Sequence, residues 1–393
     1  MTTHEQTGAG PATAPVLRSG EVVLRPLAEH DIPALVEQER DPQTQRWTPS
    51  EPLFGPEQAQ ARVRAAREQW AARSATTPRR WAIGLGEGEP GHAPYAGTVE
   101  YVPDGHGGAE VGFVVHPARR GRGLAVLGLG LALRHAHTTD RVEVAHWRSE
   151  VGNWASRRVA WRLGFRVEGT VRGIAPHPDG PREGWWGTRL AADPQSPAHA
   201  WWETPRLESD AVLLRPWEDR DAGRVPGATS LVSAGEQDVR QPAEGPAFTS
   251  WLDACRAGAA SASRVTWCVA RADDGPPQGA LHLRVSSGAR RGSGELGWWM
   301  TGDPRTHAAP LLLGGLVAVA GQVLGQGAAL PRTGLAVPRL HRLGATIGVD
   351  DADSARALEG SGFHRVGVEH ATWTGRSHGV PEDTARYELL ALP

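Results

Sequence analysis

The sequence predicts an α/β protein made of two tandem domains, each a mostly antiparallel mixed sheet flanked by helices. Three observations carry that prediction. At 393 residues the chain exceeds one ordinary core. Strand-like and helix-like segments are grouped in a way that a purely parallel sheet does not produce. And the landmarks of the first half return, in order, in the second.

The elements follow in sequence. Residues 1–15 carry neither a charged nor an apolar signal region and read as a disordered tail. Glu21–Leu27 alternates as a strand, and His30-Asp31 opens a helix to about Arg40. Residues 41–55, rich in Pro, Thr and Gln, read as a loop. Pro56, suited to a first helical position, starts a helix to about Arg73. Trp81–Leu85, Tyr95–Val102 and Glu110–Val115 form an antiparallel meander. A helix over 122–138, a strand at Val142–Trp147 and a helix from Asn153 come next. Gly164-Phe165 ends the last of these like a glycine C-cap. Strands at Phe165–Arg172 and near Trp185–Leu190 close a first domain of 16–192, followed by a linker at 193–204 and a second domain at 205–393.

The repeat rests on three matches. Val212-Leu-Leu-Arg-Pro aligns with Val22-Val-Leu-Arg-Pro at an offset of 190, and Glu295-Leu-Gly-Trp with Glu110-Val-Gly-Phe at 185. Gly362-Phe363 aligns with Gly164-Phe165 at 198. A period this long means a duplicated domain.

Composition narrows the function. A formal net charge of −2 gives no field for nucleic acid or an anionic membrane. Cys255 and Cys268 are too few for a disulfide framework and form no metal cluster, so they read as buried thiols of a cytoplasmic protein. The apolar run Leu311–Leu324 is shorter than the ~20 residues of a membrane span and reads as a buried helix. The chain holds no lysine, which excludes Schiff-base and PLP chemistry. Its permanent cations are arginines, suited to planar contacts with phosphate or carboxylate.

The chemistry centres on residues 110–138. A strand ends at Pro117, and Arg119, Arg120, Gly121, Arg122 and Gly123 lead into a helix. The first amides of a helix lack internal partners, and together with the helix dipole they form an anion site. Gly121 and Gly123 let a phosphate approach the backbone, with Arg120 and Arg122 adding charge. Neither the lysine-bearing phosphate loop nor the G-x-G-x-x-G pattern is present.

The run Arg120-Gly-Arg-Gly123-Leu-Ala125 resembles the acetyl-CoA pyrophosphate loop of the GNAT superfamily of N-acetyltransferases, with the pattern Gln/Arg-x-x-Gly-x-Gly/Ala. Asn153-Trp-Ala-Ser156, followed by a helix and Leu-Gly-Phe, is similar to the RimJ/RimL-like subfamily. The resemblance covers about 20–190 and is patchier over 205–391. It implies coenzyme A as cofactor, held by Val114, Val115, Arg119–Gly123, Ala125, Asn153 and Ser156. A backbone amide around Val114–Val115 would receive the oxyanion, and Ser156 would serve the leaving thiolate. Glu110 is the first choice for the base, with Glu100 as the alternative; Glu143 and His146 rank lower. The matching Glu295 favours a structural role for Glu110. Trp47 and Trp185-Trp186 are candidates for the acceptor pocket.

The expected activity is direct transfer, in a ternary complex, of an acetyl group to a primary amine: a small molecule, antibiotic or amino acid, or a protein N-terminus. The alternative is a non-enzymatic acyl-CoA sensor. No metal is expected, and the chain would work as a monomer with an internal pseudo-dimer or as a homodimer. Opposite the arginine–glycine turn the second copy has Thr301-Gly-Asp303-Pro, so that domain reads as degenerate, a scaffold or a wall of the acceptor site.

Overall fold

Each half of the repeat builds its own mixed sheet. The computed structural model describes residues 13–49, 53–86, 89–234, 245–288, 291–324, 339–373 and 381–391. The chain divides into two units between Ala198 and His199. In the first unit the strands are β1 (Leu17–Ser19), β2 (Val22–Arg25), β3 (Arg79–Leu85), β4 (Tyr95–Pro103), β5 (Gly108–Val115), β6 (Val144–Glu150), β7 (Arg166–Ala175) and β8 (Arg182–Leu190). Their spatial order is β1-β2-β3-β4-β5-β6-β8-β7. Every neighbouring pair is antiparallel except β5 with β6.

Helices α1 (Ile32–Arg40), α2 (Pro42–Trp47) and α3 (Pro56–Ala72) lie between β2 and β3 in sequence. Helix α4 (Leu124–Thr138) makes the parallel crossover from β5 to β6, and α5 (Trp154–Arg162) follows β6. The alternation of β3 shows how two cores form. Trp81 and Ile83 join Leu129, Ala132 and Leu133 of α4. Ala82, on the opposite face, joins Leu35 of α1 and Val63 of α3.

The sequence reading and the structure differ in particular places. The loop expected over 41–55 contains α2, because Asp41 caps it by accepting from Thr44 N at 2.8 Å and Pro42 fills the first helical position. Strand β6 begins two residues later than expected and runs on to Glu150. The short hairpin strand β1 has no alternation long enough to announce it. Residues 13–15 of the expected tail are ordered: Ala14 is buried, and Pro15 O accepts from Trp81 Nε1 at 2.9 Å. Residues 1–12 lie outside the described set.

The second unit comprises β9 (Leu207–Glu208), β10 (Val212–Pro216), β11 (Thr229–Val232), β12 (Arg264–Arg271), β13 (Gly279–Val285), β14 (Ser293–Thr301), β15 (Arg342–Gly348), β16 (His364–Trp373) and β17 (Glu382–Leu390). With them are α6 (Pro246–Ala260), α7 (Ala309–Val323) and α8 (Ala352–Gly360). Its strand order mirrors that of the first, with β14 and β15 the parallel pair. Where the first unit has α1 and α2, the second has β11 among the described residues. The segment Pro304–Val323 is long and apolar enough by composition to cross a membrane, but Leu312, Leu316, Val319 and Val323 are packed in the unit's core. Both cysteines are free and buried, and burial pushes the Cys255 thiol up to about 11.

The duplication reaches side-chain detail. Arg25 donates to Asp31 at 2.7 and 2.6 Å, and Arg215 donates to Asp221 at 2.7 and 2.7 Å. Asp31 and Asp221 are fully buried, and each also accepts a backbone amide three residues upstream at 2.9 Å. Breaking such a buried pair leaves a charge without its partner, at a cost of about 3–5 kcal/mol. Asp31→Ala is therefore expected to lower stability by roughly that amount. In denaturant titration of the full chain, only the part of the transition that belongs to the first unit should move.

Candidate active site

The site begins where two strands stop pairing. Strands β5 and β6 are bonded only from Gly108–Glu110 to Val144–His146. Beyond Glu110 they part, while β5 stays paired to β4 as far as Val115. His116 N donates to Ala96 O on the β4 side at 2.9 Å. The alternation of a strand then turns the amides of Phe113 and Val115 toward the gap. Between Val114 and Val115, it is Val115 whose N–H faces the opening.

At the foot of the gap stands the N-terminus of α4. Gly121 and Gly123 have φ of +77° and +74°, and an added Cβ at either would meet nothing within 4 Å. Among the described residues, the amides of Gly121, Arg122, Gly123, Leu124 and Ala125 donate no hydrogen bond. A cavity of about 740 Å³ joins this turn to the parted strands. Its walls include every residue that the resemblance assigned to coenzyme A, together with Glu110: Val114, Val115, Arg119, Arg120, Gly121, Arg122, Gly123, Ala125, Asn153 and Ser156.

Lining the cavity is not the same as being free to act. The expectation that Arg120 adds charge at the turn is corrected by its contacts. Its guanidinium reaches Asp41 at 2.5 Å, Thr44 Oγ1 at 2.9 Å and Gln43 at 2.8 Å, and so fastens the turn to α2. Burial alone would raise the Asp41 carboxyl, but hydrogen bonds from Arg120 and Thr44 outweigh it and hold it below the usual aspartate value. Arg122 sits 3.6 Å from Glu21, and Arg119 makes no ion pair among the described residues. Arg119 is thus the turn cation without an ion pair among the described residues, and Arg122 is held only at 3.6 Å by an exposed carboxylate.

Asn153 caps α5 by accepting from Ser156 N at 3.2 Å. Ser156 Oγ accepts from Trp147 Nε1 at 3.0 Å, a partner the sequence reading did not find because it lies on the preceding strand, β6. Glu110 accepts from Arg148 at 2.7 Å and Glu100 from Arg80 at 2.7 Å. Glu100 lies over Gly112, where an added Cβ would come 3.3 Å from its Cγ and Oε1. This sets Glu100 one same-face step nearer Val114 than Glu110 is. Trp47 lines the cavity, but Trp185 and Trp186 do not. Trp185 is buried in the core, and Trp186 stacks on His146 at 5.0 Å in a neighbouring cavity that shares Glu100 and Glu110. Glu143 lines neither cavity. Glu39, Arg62, Thr98 and Glu150 also line the main cavity. Nothing in their local sequence sets them apart.

Residues 21–166 match the family model described as an acetyltransferase (GNAT) domain. The first unit carries a GNAT acetyltransferase domain. Among solved structures, the chain is similar to a GNAT-family acetyltransferase of Bacillus anthracis, with 17% identity and a TM-score of 0.39, over 45% of this chain and 99% of that one. It is similar to Mycobacterium smegmatis RimJ in complex with CoA-disulfide, with 22% identity and a TM-score of 0.40, over 47% and 91%. It is also similar to spermidine N-acetyltransferase of Vibrio cholerae in complex with CoA and spermine, with 16% identity and a TM-score of 0.38, over 44% and 98%. No curated protein matches the chain.

The second unit meets the same backbone demands with its own groups. Strand β11 pairs with β14 over Trp299–Thr301, on the stretch that the acetyltransferase domain leaves open. Ser233 N donates to Trp298 O at 3.0 Å, Trp298 N donates to Ser233 Oγ at 2.9 Å, and Ala234 N reaches Thr346 O on β15 at 2.8 Å. At the helix entrance Asp303 accepts from Arg305 N at 3.1 Å and Thr306 N at 2.8 Å. A carboxylate of the chain thus takes the place that an external anion would need.

The Arg120–Asp41 tie has a pH signature. A depressed aspartate contributes stability that is present above its unfolded value and is lost as pH falls through its folded one. Asp41→Asn should therefore remove part of the loss of stability below the ordinary aspartate range. The pair is partly exposed, so the effect is up to about 1 kcal/mol, read from melting temperatures measured against pH.

Proposed function

We propose that the chain is an acetyl-CoA-dependent N-acetyltransferase whose first unit binds both reactants and transfers the acetyl group directly within a ternary complex. The observation that carries this reading is the row of five amides, Gly121 to Ala125, at the entrance of α4 that have no acceptor among the described residues and open into the gap between β5 and β6. Acetyl-CoA would supply an activated acyl thioester.

The residues at the turn suit a diphosphate. The amides of Gly121 to Ala125 supply donors, the open space over Gly121 and Gly123 admits close approach, and Arg119 and Arg122 supply charge. The free edge of Phe113 and Val115 offers donors and acceptors to an extended chain, and the Val115 amide is the candidate oxyanion donor. Ser156 is the candidate hydrogen-bond donor to the departing thiolate. For the base, the position of Glu100 over Gly112 favours it above Glu110, which ties β5 to β6 through Arg148 where the strands part. The second unit supports this view of Glu110: Glu295 is likewise held by an arginine, Arg386, at 2.7 Å, although there β11 pairs along the corresponding stretch of β14. We propose that the second unit does not bind coenzyme A and serves as a scaffold.

The acceptor is a primary amine. Glu39, Glu100, Glu110 and Glu150 line the cavity, each paired with an arginine, so an amine there would share a carboxylate with a guanidinium. One observation favours the non-enzymatic alternative: Glu100 and Glu110 each already engage an arginine, and taking a proton requires sharing that contact. Thiol release from acetyl-CoA against a panel of amines separates the two readings, since a sensor binds the cofactor without turnover.

Two outcomes are expected. Gly123→Val puts a branched side chain into a left-handed position facing the cavity, so calorimetry should show coenzyme A affinity reduced at least about ten-fold, a loss of roughly 1.4 kcal/mol. Affinity equal to that of the unaltered protein would remove the turn from the site. Glu100→Gln should lower turnover on the order of a hundred-fold, while Glu110→Gln acts mainly on stability. The reverse pattern would return the base to Glu110.

A further inference from the structure

Trp147 is buried in the core of the first unit, yet its indole nitrogen reaches the edge of the cavity and donates to Ser156 Oγ at 3.0 Å. A hydroxyl has one hydrogen to give and two lone pairs to receive with. Here one lone pair is taken by the indole and the backbone amide of Ser156 is taken by Asn153. Among the described residues, the hydroxyl hydrogen itself has no protein acceptor. Because the indole hydrogen occupies one side of the oxygen, the Ser156 hydrogen is turned away from it. Accepting one hydrogen bond also strengthens the next one donated.

The second unit supplies an internal comparison. Asp351 caps α8 through Ser354 N at 3.0 Å, just as Asn153 caps α5, so Ser354 is the counterpart of Ser156 at an offset of 198. At the same offset, the counterpart of Trp147 is Ala345. Ser354 Oγ is buried and lacks a partner among the described residues. The serine therefore persists in both units, while the indole that orients it accompanies only the open gap.

We propose that Trp147 is a positioning residue for acetyl transfer, holding the Ser156 hydroxyl as a hydrogen-bond donor aimed at the departing sulfur. This rests on the acetyltransferase reading of the cavity. In the step, the amine nitrogen forms the new C–N bond and loses a proton to the base. The C–S bond breaks with its electron pair going to sulfur. A serine hydroxyl is far less acidic than a thiol, which titrates near 8.5 in cysteine. Ser156 therefore keeps its proton and stabilises the thiolate by a hydrogen bond, and the thiolate then takes a proton from solvent.

The competing account is that Ser156 only satisfies a buried indole N–H, which would otherwise cost about 1–3 kcal/mol. The two accounts differ in Trp147→Phe, which keeps an aromatic ring but removes the donor. The full chain is assayed by thiol release from acetyl-CoA with spermidine and an alanine-initiated peptide as acceptors, alongside calorimetry with coenzyme A. Trp147→Phe is expected to lower kcat about ten-fold with KM for acetyl-CoA unchanged. Added to Ser156→Ala, it should lower kcat no further. In 15N-labelled protein, the indole peak that disappears in Trp147→Phe should shift in Ser156→Ala. An unshifted peak, a wild-type kcat for Trp147→Phe, or additive losses in the double variant would each overturn the proposal while leaving the acetyltransferase reading intact. Loss of both cofactor binding and turnover in the unaltered protein would instead remove the acetyltransferase reading, and this proposal with it.

Discussion

Backbone donors that no strand or helix turn can satisfy are the constraint around which the first unit is organised. When β5 leaves β6 after Glu110, a run of main-chain groups loses its partner strand, and α4 adds the orphan amides of its first turn at the same place. Water or a ligand must then complete them. The second unit inherits the same parting of strands and answers it from within, with β11 along the open edge and Asp303 at the helix entrance. One architecture thus appears in a version that needs an outside partner and in a version that has internalised one.

Around that gap, charge is spent mostly on holding the frame. Arg120 joins the glycine turn to α2, Arg148 bridges β6 to Glu110, and Arg80 holds Glu100 across from β3. In the second unit Glu295 reaches Arg386 across β15, which Gly344 permits because a Cβ there would come 2.5 Å from the carboxylate. The latch is retained, although its arginine comes from a different strand. A carboxylate preserved in both units is thus better explained by strand geometry than by chemistry.

The sequence showed the parts whose cause is local. Glycines at positive φ, a helix start, a cap at Asn153 and a meander of alternating strands are all written within a few residues of where they act. The duplication was legible for the same reason, since the buried Arg25–Asp31 and Arg215–Asp221 pairs each span six residues. What could not be read depends on distant partners. Arg120 looks like a phosphate ligand until Asp41, far away in sequence, is brought against it. Trp147 reads as one more core aromatic until α5 folds back to place Ser156 on its nitrogen. The substitution of a pairing strand for α1 and α2 also escaped, because Thr229–Val232 is too short for its alternation to stand out.

The cations that line the cavity are all guanidinium groups: Arg62, Arg80, Arg119, Arg120, Arg122, Arg148, Arg158 and Arg162. An ε-amine placed beside an activated thioester is itself an acyl acceptor, and each adventitious hit would erase a charge. A guanidinium stays protonated and is a poor nucleophile. A wall built from it keeps its electrostatics beside such a thioester, and with no lysine the chain carries no side-chain amine to be acylated.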